Sequence, residues 1–281
     1  MCNCLKEYMA QVPERNSSMT HYDFAIELVR KAGEQLKTAA QHIVVSHKGE
    51  EVRDVVTDTD LTINAFLIDE IHRAFPEHSI SSEEGATGAA QSGPYTWMLD
   101  PIDGSANFAR GIPHFAICVG LLKGGMPIVG AVYNPITDEL FSFEEGRGAF
   151  LNGTPIQASG ITEPAKAQGI LIVGHQAPLW DWGAAVYRSF LEHLKKLKAL
   201  GSSSLDLCFL AAGRADIVVY GTLTTQDIAS AIGIVRAAGG EVYTIDGVPV
   251  EFTSTRQTVV ATSSKELFEK SRPLLHADML S

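Results

Sequence analysis

The chain is poor in positive charge and in long apolar runs, and each shortage disfavours a class of protein. It carries 22 Lys and Arg against 33 Asp and Glu, a formal net charge of −11. Nucleic acids and membrane surfaces are bound through basic faces, so neither is expected as a partner. No apolar run is long enough to span a bilayer, and the first twenty residues lack the apolar core of a secretion signal.

Cysteine is also scarce, which disfavours a disulfide framework or a zinc knuckle. The four cysteines, Cys2, Cys4, Cys118 and Cys208, show no metal-binding spacing. Cys118 and Cys208 lie in apolar runs and are predicted to be buried thiols. This cysteine usage fits a reducing compartment, and we predict a cytoplasmic location.

Apolar residues are plentiful, at 45% of the 281 positions, so a sizeable core is expected. We predict a disordered tail over residues 1–20 and a single domain over 21–281. Residues 21–160 are predicted to form an α+β half with two helices and an antiparallel sheet joined by hairpin turns. Residues 161–281 alternate strands and helices and are predicted to form an α/β half.

The most informative segment is Trp97-Met-Leu-Asp-Pro-Ile-Asp-Gly-Ser105, in which an apolar strand is predicted to end at Pro101. Asp100 and Asp103 would then lie together on a tight turn. Oxygen-only ligands of this kind suit Mg²⁺, and Gly104, Ser105 and Ala106 offer backbone amides for an anion. The alternative is a pair of ordinary Asp-Pro and Asp-Gly turns, and these residues alone leave both interpretations open.

Three further acidic sites lie at the ends of predicted elements. Asp60 precedes a helix and could be an ordinary cap, while Glu83 and Glu84 follow a strand and could be surface residues. Asp227 begins a long apolar helix, where the helix dipole favours an acid without any further role. Each site is a weak signal when it is taken alone.

Taken together and in order, these motifs resemble the inositol monophosphatase-like family of Mg²⁺-dependent, lithium-sensitive phosphatases. The resemblance rests on Asp54-x-x-Thr-x-x-Asp60, Glu83-Glu84, Asp100-Pro-Ile-Asp-Gly-Ser105, Gly148-Ala-Phe-Leu-Asn-Gly153, Gly201-Ser-Ser-Ser-Leu-Asp206 and Asp227-Ile-Ala-Ser-Ala231. It implies the five-layered αβαβα sandwich that this family shares with fructose-1,6-bisphosphatase. It also implies hydrolysis of a small phosphate monoester and a homodimer.

The resemblance further assigns roles to individual residues. The metal ligands would be Glu83, Asp100, the carbonyl of Ile102, Asp103 and Asp227 for two Mg²⁺ ions, with Asp60 and Glu84 supporting a third. Ser105, backed by Glu83, would orient the attacking water, so that Glu83, Ser105 and Asp103 form the catalytic set. The substrate would contact Gly104, Ser105, Ala106, Ser203, Ser204, Tyr220 and Asp227.

Three positions depart from the family pattern. Ser105 stands where threonine is usual and keeps the hydroxyl, while Gln226 stands where tryptophan is common. Tyr220, seven residues before Asp227, stands where inositol-cleaving members have a glutamate that binds sugar hydroxyls. Inositol monophosphate or a related sugar or polyol phosphate is the expected substrate. Fructose-1,6-bisphosphate, histidinol phosphate and 3′-phosphoadenosine nucleotides are alternatives within the enzymes, and a regulatory or binding protein that keeps the fold is the alternative outside them.

Two other features are interpreted as structural. His114, directly after Pro113, is predicted to be a histidine at a strand end rather than a ligand. Trp180 and Trp182 are predicted to anchor the helix that follows them.

Overall fold

The computed structural model describes residues 19–39, 45–47, 55–85, 93–174, 179–224, 228–252 and 256–276. The predicted tail therefore lies almost wholly outside the described residues, as does Asp227. Among the described residues, no helix is both long enough and apolar enough to cross a membrane.

The described residues form seven α-helices and fourteen strands. The helices are α1 (His21–Ala39), α2 (Asp58–Ala74), α3 (Ser105–Phe108), α4 (Trp180–His193), α5 (Ser203–Ala211), α6 (Ala229–Ala237) and α7 (Lys265–Leu275). The strands are β1 (Val45–His47), β2 (Val55–Thr57), β3 (Ser79–Ser82), β4 (Tyr95–Asp103), β5 (Ala116–Lys123), β6 (Met126–Asn134), β7 (Glu139–Glu144), β8 (Gly148–Leu151), β9 (Thr154–Ile156), β10 (Gln168–Ile172), β11 (Lys196–Lys198), β12 (Ile217–Thr224), β13 (Glu241–Thr244) and β14 (Arg256–Thr262).

The two predicted halves of the chain each contain one large sheet. Strands β3 to β9 follow one another in a seven-stranded sheet, antiparallel except for the parallel pair β3 and β4. The second sheet has the order β11-β10-β12-β14-β13 and is mixed, because β10 is parallel to both its neighbours whereas β14 is antiparallel to both of its own. The antiparallel hairpins predicted for the first half are thus confirmed.

Three apolar clusters show how the helices and sheets are layered. The first joins α1 and α2 to one face of the seven-stranded sheet, and its members include Leu28, Leu67 and Trp97. The second joins the other face of that sheet to α5, α6 and the five-stranded sheet. The third packs α4 and α7 on the outer face of the five-stranded sheet through residues such as Phe190 and Phe268. The order is α, β, α, β, α, so the predicted five-layered sandwich is confirmed.

The middle helix layer is in close contact with the seven-stranded sheet. A Cβ added at Gly233 on α6 would lie 2.1 Å from the ring of Phe143, and one at Gly130 on β6 would lie 2.9 Å from the backbone of Ser230. Glycine is therefore required at both positions for steric reasons. The contact holds α6 against the sheet.

A partly buried hydrogen bond beneath α1 involves a histidine, and we expect it to make the stability of the protein depend on pH. The indole nitrogen of Trp97, which is fully buried, donates to Nδ1 of His78 at 3.1 Å. This bond requires that Nδ1 carry no proton. Burial lowers the pKa of His78, and nearby His21 lowers it further while Glu77 opposes the change. Burial also lowers the pKa of His21, against the attraction of Glu144.

We expect the free energy of unfolding to decrease as the pH falls below about 6.5, the ordinary histidine value. Both native pKa values lie below that value, so the unfolded chain binds more protons in this window. The stabilisation that the two neutral histidines contribute is complete above their pKa in the unfolded chain. It is lost as the pH falls through their lower pKa values in the native protein. Urea unfolding at pH 8 and pH 5.5 measures the difference. This difference in the free energy of unfolding between the two pH values should be smaller in His78→Gln, whose amide oxygen can still accept from Trp97. It should be unchanged in the control His72→Gln, because His72 is exposed. An undiminished difference in His78→Gln would contradict the assignment.

Candidate active site

Strand pairing brings two of the predicted acids together. The parallel strands β3 and β4 pair with Ser82 opposite Leu99, and the backbone nitrogen of Glu83 donates to the carbonyl of Leu99 at 3.1 Å. The next residues along the two chains are Glu83, directly after β3, and Asp100, still within β4, which are therefore neighbours. The pairing therefore brings the Glu83-Glu84 motif next to the Asp100–Ser105 motif. The sequence alone gave only the order of these two motifs along the chain.

Strand β4 does not end at Pro101, so that prediction is wrong. The extended backbone continues to Asp103, but its pairing with β5 shifts register between Asp100 and Asp103. Such a bulge accommodates proline, which cannot donate to the ladder, and it changes the direction of the following side chains. The backbone nitrogen of Ile102 donates to Oδ1 of Asp100 at 3.1 Å, which closes a tight local turn around the proline.

Asp103 is the most strongly held of these acids. Its side chain accepts bonds from the hydroxyl of Ser202, from the backbone nitrogen and hydroxyl of Ser203 at 3.1 and 2.8 Å, and from the backbone nitrogen of Ser204 at 2.8 Å. Burial raises the pKa of Asp103 and the charge of Asp206 adds to this, while the three serines oppose it. The start of α5 is thus a cradle for a carboxylate that lies 100 residues earlier in the sequence.

Gly104 makes the turn after Asp103 possible. It adopts a left-handed conformation with φ of 90°, and a Cβ there would lie 3.1 Å from the carbonyl oxygen of His114 and 3.2 Å from Cβ of Ser202. Ser105 and Ala106 follow as the first residues of α3. The chain therefore passes from the buried acids to the start of a helix within two residues.

Helix α2 brings the next acid toward the same strand end. Asp60 is 2% exposed, and Asn64, one turn later on the same face, accepts a bond from the hydroxyl of Ser82 at 2.7 Å. Glu83 and Glu84 directly follow Ser82, with Glu83 exposed and Glu84 half-buried. Asp60 thus lies on the helix face directed toward these glutamates.

A hydrogen-bonded chain behind the site was not predicted. The hydroxyl of Tyr220 donates to Oδ2 of Asp206 at 2.5 Å, and Oδ1 of Asp206 lies 2.8 Å from Nε2 of His114. Asp206 is fully buried. Burial raises the pKa of Tyr220, and the charges of Asp206 and Asp103 raise it further. His114 lies two residues before β5, as predicted, and in addition bonds a buried acid.

Asn107 was overlooked as a structural member of the site. Its amide donates to the carbonyls of His114 at 2.8 Å and Leu200 at 2.9 Å, which ties α3 to the segment that leads into α5. The only sequence signal was its place two residues after Ser105, the last residue of the Asp-Gly-Ser motif. The buried thiols predicted at Cys118 and Cys208 are confirmed, and burial raises the pKa of both.

Among the described residues, no three Asp, Glu, His or Cys side chains are already grouped as a metal site. Asp103 is bonded to its serine donors, and Asp227, another predicted ligand, lies outside the described residues together with Gln226. The roles assigned to Glu83, Asp100, Ile102, Asp103, Asp60 and Glu84 therefore stay predictions.

Comparison with known proteins identifies the family. The model of the "Inositol monophosphatase family" matches residues 18–279. The chain belongs to this family. Inositol monophosphatase 3 of Solanum lycopersicum is 34% identical over 92% of this chain and 98% of its own length. A Thermotoga maritima protein named fructose-1,6-bisphosphatase/inositol-1-monophosphatase is 33% identical over 82% of this chain and 86% of its own.

A solved structure supports the same assignment. The extragenic suppressor protein suhB of Bartonella henselae superposes with a TM-score of 0.84 at 28% identity, covering 90% of this chain and 97% of that one. The family membership makes this chain a phosphatase that acts on phosphate monoesters. The family is generally metal-dependent, which agrees with the oxygen-rich set of acids at the ends of β3 and β4.

Proposed function

We propose that this phosphatase hydrolyses a small phosphate monoester, inositol monophosphate or a related sugar or polyol phosphate, with a water activated by Mg²⁺. The observation that carries the proposal is the parallel pairing of β3 with β4. It places Glu83 beside Asp100 at one strand end, with buried Asp103 and the Gly104–Ser105 turn directly after it. Acids, backbone amides and a hydroxyl would then act together on one phosphate group.

The residues fit Mg²⁺ by their chemistry. All the proposed donors are oxygen atoms, and Asp100 and Asp103 are only 4% and 6% exposed. Two buried acids repel each other, and a cation would relieve that repulsion. Two or three ions would be held by Glu83, Asp100, the Ile102 carbonyl, Asp103, Asp227, Asp60 and Glu84. When bound, they would lower the pKa of a water and neutralise charge that develops on the phosphoryl oxygens.

The chain's own residues would position the substrate and the water. The phosphate would be bound by the backbone amides of Gly104, Ser105 and Ala106, which precede or begin α3 and lack intrahelical acceptors. The Ser105 hydroxyl, with Glu83 behind it, would orient the water in line with phosphorus. No covalent enzyme intermediate is required, because water itself is the nucleophile.

A specific observation favours fructose-1,6-bisphosphate as the second candidate substrate. The Thermotoga maritima relative carries both activities in its name. In this chain, Tyr220 replaces the glutamate of inositol-cleaving members, and its hydroxyl is already bonded to Asp206. The position that would contact the sugar hydroxyls therefore carries the phenol of Tyr220 in place of a carboxylate.

Family membership extends the proposal to further properties. We propose a homodimer and sensitivity to lithium on this ground alone. The cytoplasmic location stays a prediction from the scarcity of cysteine.

The test is phosphate release from a panel of esters, with Mg²⁺ and with a chelator. The panel contains inositol monophosphate, fructose-1,6-bisphosphate, histidinol phosphate and a 3′-phosphoadenosine nucleotide. We expect a sugar or polyol ester to be preferred, and at least about a hundredfold loss with the chelator, since bound metal is worth several kcal/mol. Turnover that survives chelation would contradict the metal proposal. The absence of release from every ester would favour the binding-protein alternative.

A further inference from the structure

The segment that leads into β5, Pro113-His114, is hydrogen-bonded to three separate elements of the fold. Nε2 of His114 lies 2.8 Å from Oδ1 of Asp206, which is fully buried on α5. The backbone oxygen of His114 accepts a bond from the side-chain amide of Asn107 on α3 at 2.8 Å. The carbonyl of Pro113 accepts from the side chain of Asn134 on β6 at 3.1 Å. The position of this segment is therefore fixed relative to α3, α5 and β6.

The bond to Asp206 holds the side chain of His114 in one place. This side chain is only 14% exposed, and its ring lies edge-on to the ring of Phe209, with 5.4 Å between the two centroids. The other carboxylate oxygen of Asp206 accepts from the hydroxyl of Tyr220 on β12 at 2.5 Å. Asp206 is thus itself anchored on β12, and it can in turn anchor the histidine.

The backbone oxygen of His114 lies directly against the turn between β4 and α3. A Cβ added at Gly104 would lie 3.1 Å from this oxygen, so the two backbones are in close contact. Asn107, which donates to the same oxygen, also donates to the carbonyl of Leu200 at 2.9 Å. The backbone nitrogen of Asn107 donates to the carbonyl of Gly104 at 2.9 Å. The carbonyl of His114 is therefore in contact with the turn and with the helix that follows it.

We propose that His114 is a positioning residue for the turn of Gly104, Ser105 and Ala106. Its side chain, anchored by Asp206, holds its own carbonyl in place, and that carbonyl holds the turn and helix α3. The backbone amides of the turn and the hydroxyl of Ser105, assigned above to the phosphate and the water, would thereby be kept in one arrangement. The inference rests on the function proposed above and adds a residue that acts through its neighbours.

A small displacement of this turn would affect turnover more than binding. The phosphate would be held by several amides that move together, so a shifted turn can still bind it. The attack of water on phosphorus depends on alignment, and a misplacement of about 1 Å can lower a rate about a hundredfold. Loss of the anchor is therefore expected to lower kcat and to change KM much less.

His78 is the matched control for a histidine that only stabilises the fold. It is also half-buried, and one of its ring nitrogens lies 3.1 Å from the indole nitrogen of Trp97. It precedes the start of β3, at the opposite end of the parallel β3–β4 pair from Gly104. Its loss should lower the free energy of unfolding and leave the kcat of the folded protein unchanged.

The first measurement is steady-state phosphate release from the panel ester that the wild type hydrolyses fastest. His114→Ala should lower kcat at least about tenfold, with KM changed by less than about threefold. His114→Gln, whose side-chain amide can still donate to Asp206, should keep kcat within about threefold of the wild type. His78→Ala should keep the wild-type kcat. Circular dichroism and the thermal midpoint establish that each variant is folded at the assay temperature.

A double-variant cycle tests the route through Asn107. Asn107→Ala removes the donor to the carbonyl of His114 and should itself lower kcat. If the two residues act through the same bond, adding His114→Ala to Asn107→Ala should lower kcat by less than about threefold, against at least about tenfold in the wild type. Equal losses in the two backgrounds would overturn the route through this carbonyl.

Amide hydrogen exchange reports on the turn without any substrate. The amides of residues 107–109 donate to carbonyls at the start of α3. Their exchange should be at least about tenfold faster in His114→Ala than in the wild type, and close to the wild-type rate in His114→Gln. The amides of α7, on the outer face of the five-stranded sheet, are the internal control and should not change. Unchanged exchange of residues 107–109 in His114→Ala would overturn the proposal.

The outcomes separate this inference from the function on which it rests. An active wild type whose His114→Ala variant keeps its kcat overturns the positioning role and leaves the proposed function. A His114→Gln variant that is as slow as His114→Ala overturns the role of the bond to Asp206. A wild type that releases phosphate from none of the esters contradicts the proposed function, and hydrogen exchange then decides whether His114 holds the turn.

Discussion

Asp103→Asn is expected to lower Mg²⁺-dependent phosphate release by about a thousandfold or more while the chain stays folded. The substitution keeps the shape of the side chain and removes the charge that would bind a cation, a loss of about 4 kcal/mol in the barrier. The structure adds a cost to stability. The new amide would face the backbone N–H of Ser203 or Ser204, which now donate to Asp103 at 3.1 and 2.8 Å. One unsatisfied donor in this cradle costs about 1–3 kcal/mol.

Asp216→Asn is the matched control for this prediction. Asp216 is likewise buried, at 5% exposure, and its carboxylate accepts from the hydroxyl of Ser159 and from the backbone of Gln168 at 2.7 Å. It lies outside the proposed site, so its variant should lose stability to a similar degree and keep its turnover. Steady-state phosphate release and urea unfolding of both variants separate the two effects. Undiminished turnover in Asp103→Asn would contradict the metal assignment.

Local patterns in the sequence were sufficient for most of the helices and strands, whereas the order of the five layers was implied by the family resemblance. The apolar periodicity from Tyr22 predicted α1, and the turns at Gly124–Gly125 and Asn152–Gly153 predicted antiparallel hairpins. Three short strands were not predicted, β1, β2 and β13, because three or four residues carry too little periodicity to be distinguished from loop. Strand β4 was predicted too short, since proline removes one ladder bond yet remains compatible with extended backbone at a bulge.

The sequence named candidate acids for the site but could not predict how they are arranged. The acids could be selected because they lie in order at the ends of elements, but their adjacency comes from the register of β3 on β4. The serine donors of Asp103 lie about a hundred residues away in sequence. No local signal could have shown that they face this acid, because the contact depends on how the two sheets are packed across α5.

The same limit applies to the position that departs most from the family pattern. The family resemblance implies that Tyr220 stands where inositol-cleaving members have a glutamate, and only the structure shows that its hydroxyl donates to Asp206 at 2.5 Å. A single Tyr220→Glu substitution would set a second carboxylate against a fully buried one. Two buried like charges destabilise each other, so the single variant is expected to lose stability as well as change its specificity.

The double variant Tyr220→Glu/Asp206→Asn removes that conflict and is the sharper test of specificity. The asparagine amide can donate to the new glutamate, and its oxygen can accept from His114, which lies 2.8 Å from Asp206 in the wild type. The restored carboxylate would then be available to sugar hydroxyls. We expect the ratio of kcat/KM for inositol monophosphate to kcat/KM for fructose-1,6-bisphosphate to rise about tenfold, equivalent to one additional charged hydrogen bond of about 1.4 kcal/mol.

Asp206→Asn alone is the control, because it alters the buried chain without adding a carboxylate and should leave that ratio unchanged. The ratio cancels losses that affect both substrates equally, such as a small shift of α5 or a lower folded fraction. A rise in the double variant alone therefore assigns Tyr220 to the wall that contacts the sugar. If the double variant keeps the wild-type ratio, Tyr220 does not contact the sugar, and its hydrogen bond to Asp206 serves only to hold β12 against α5.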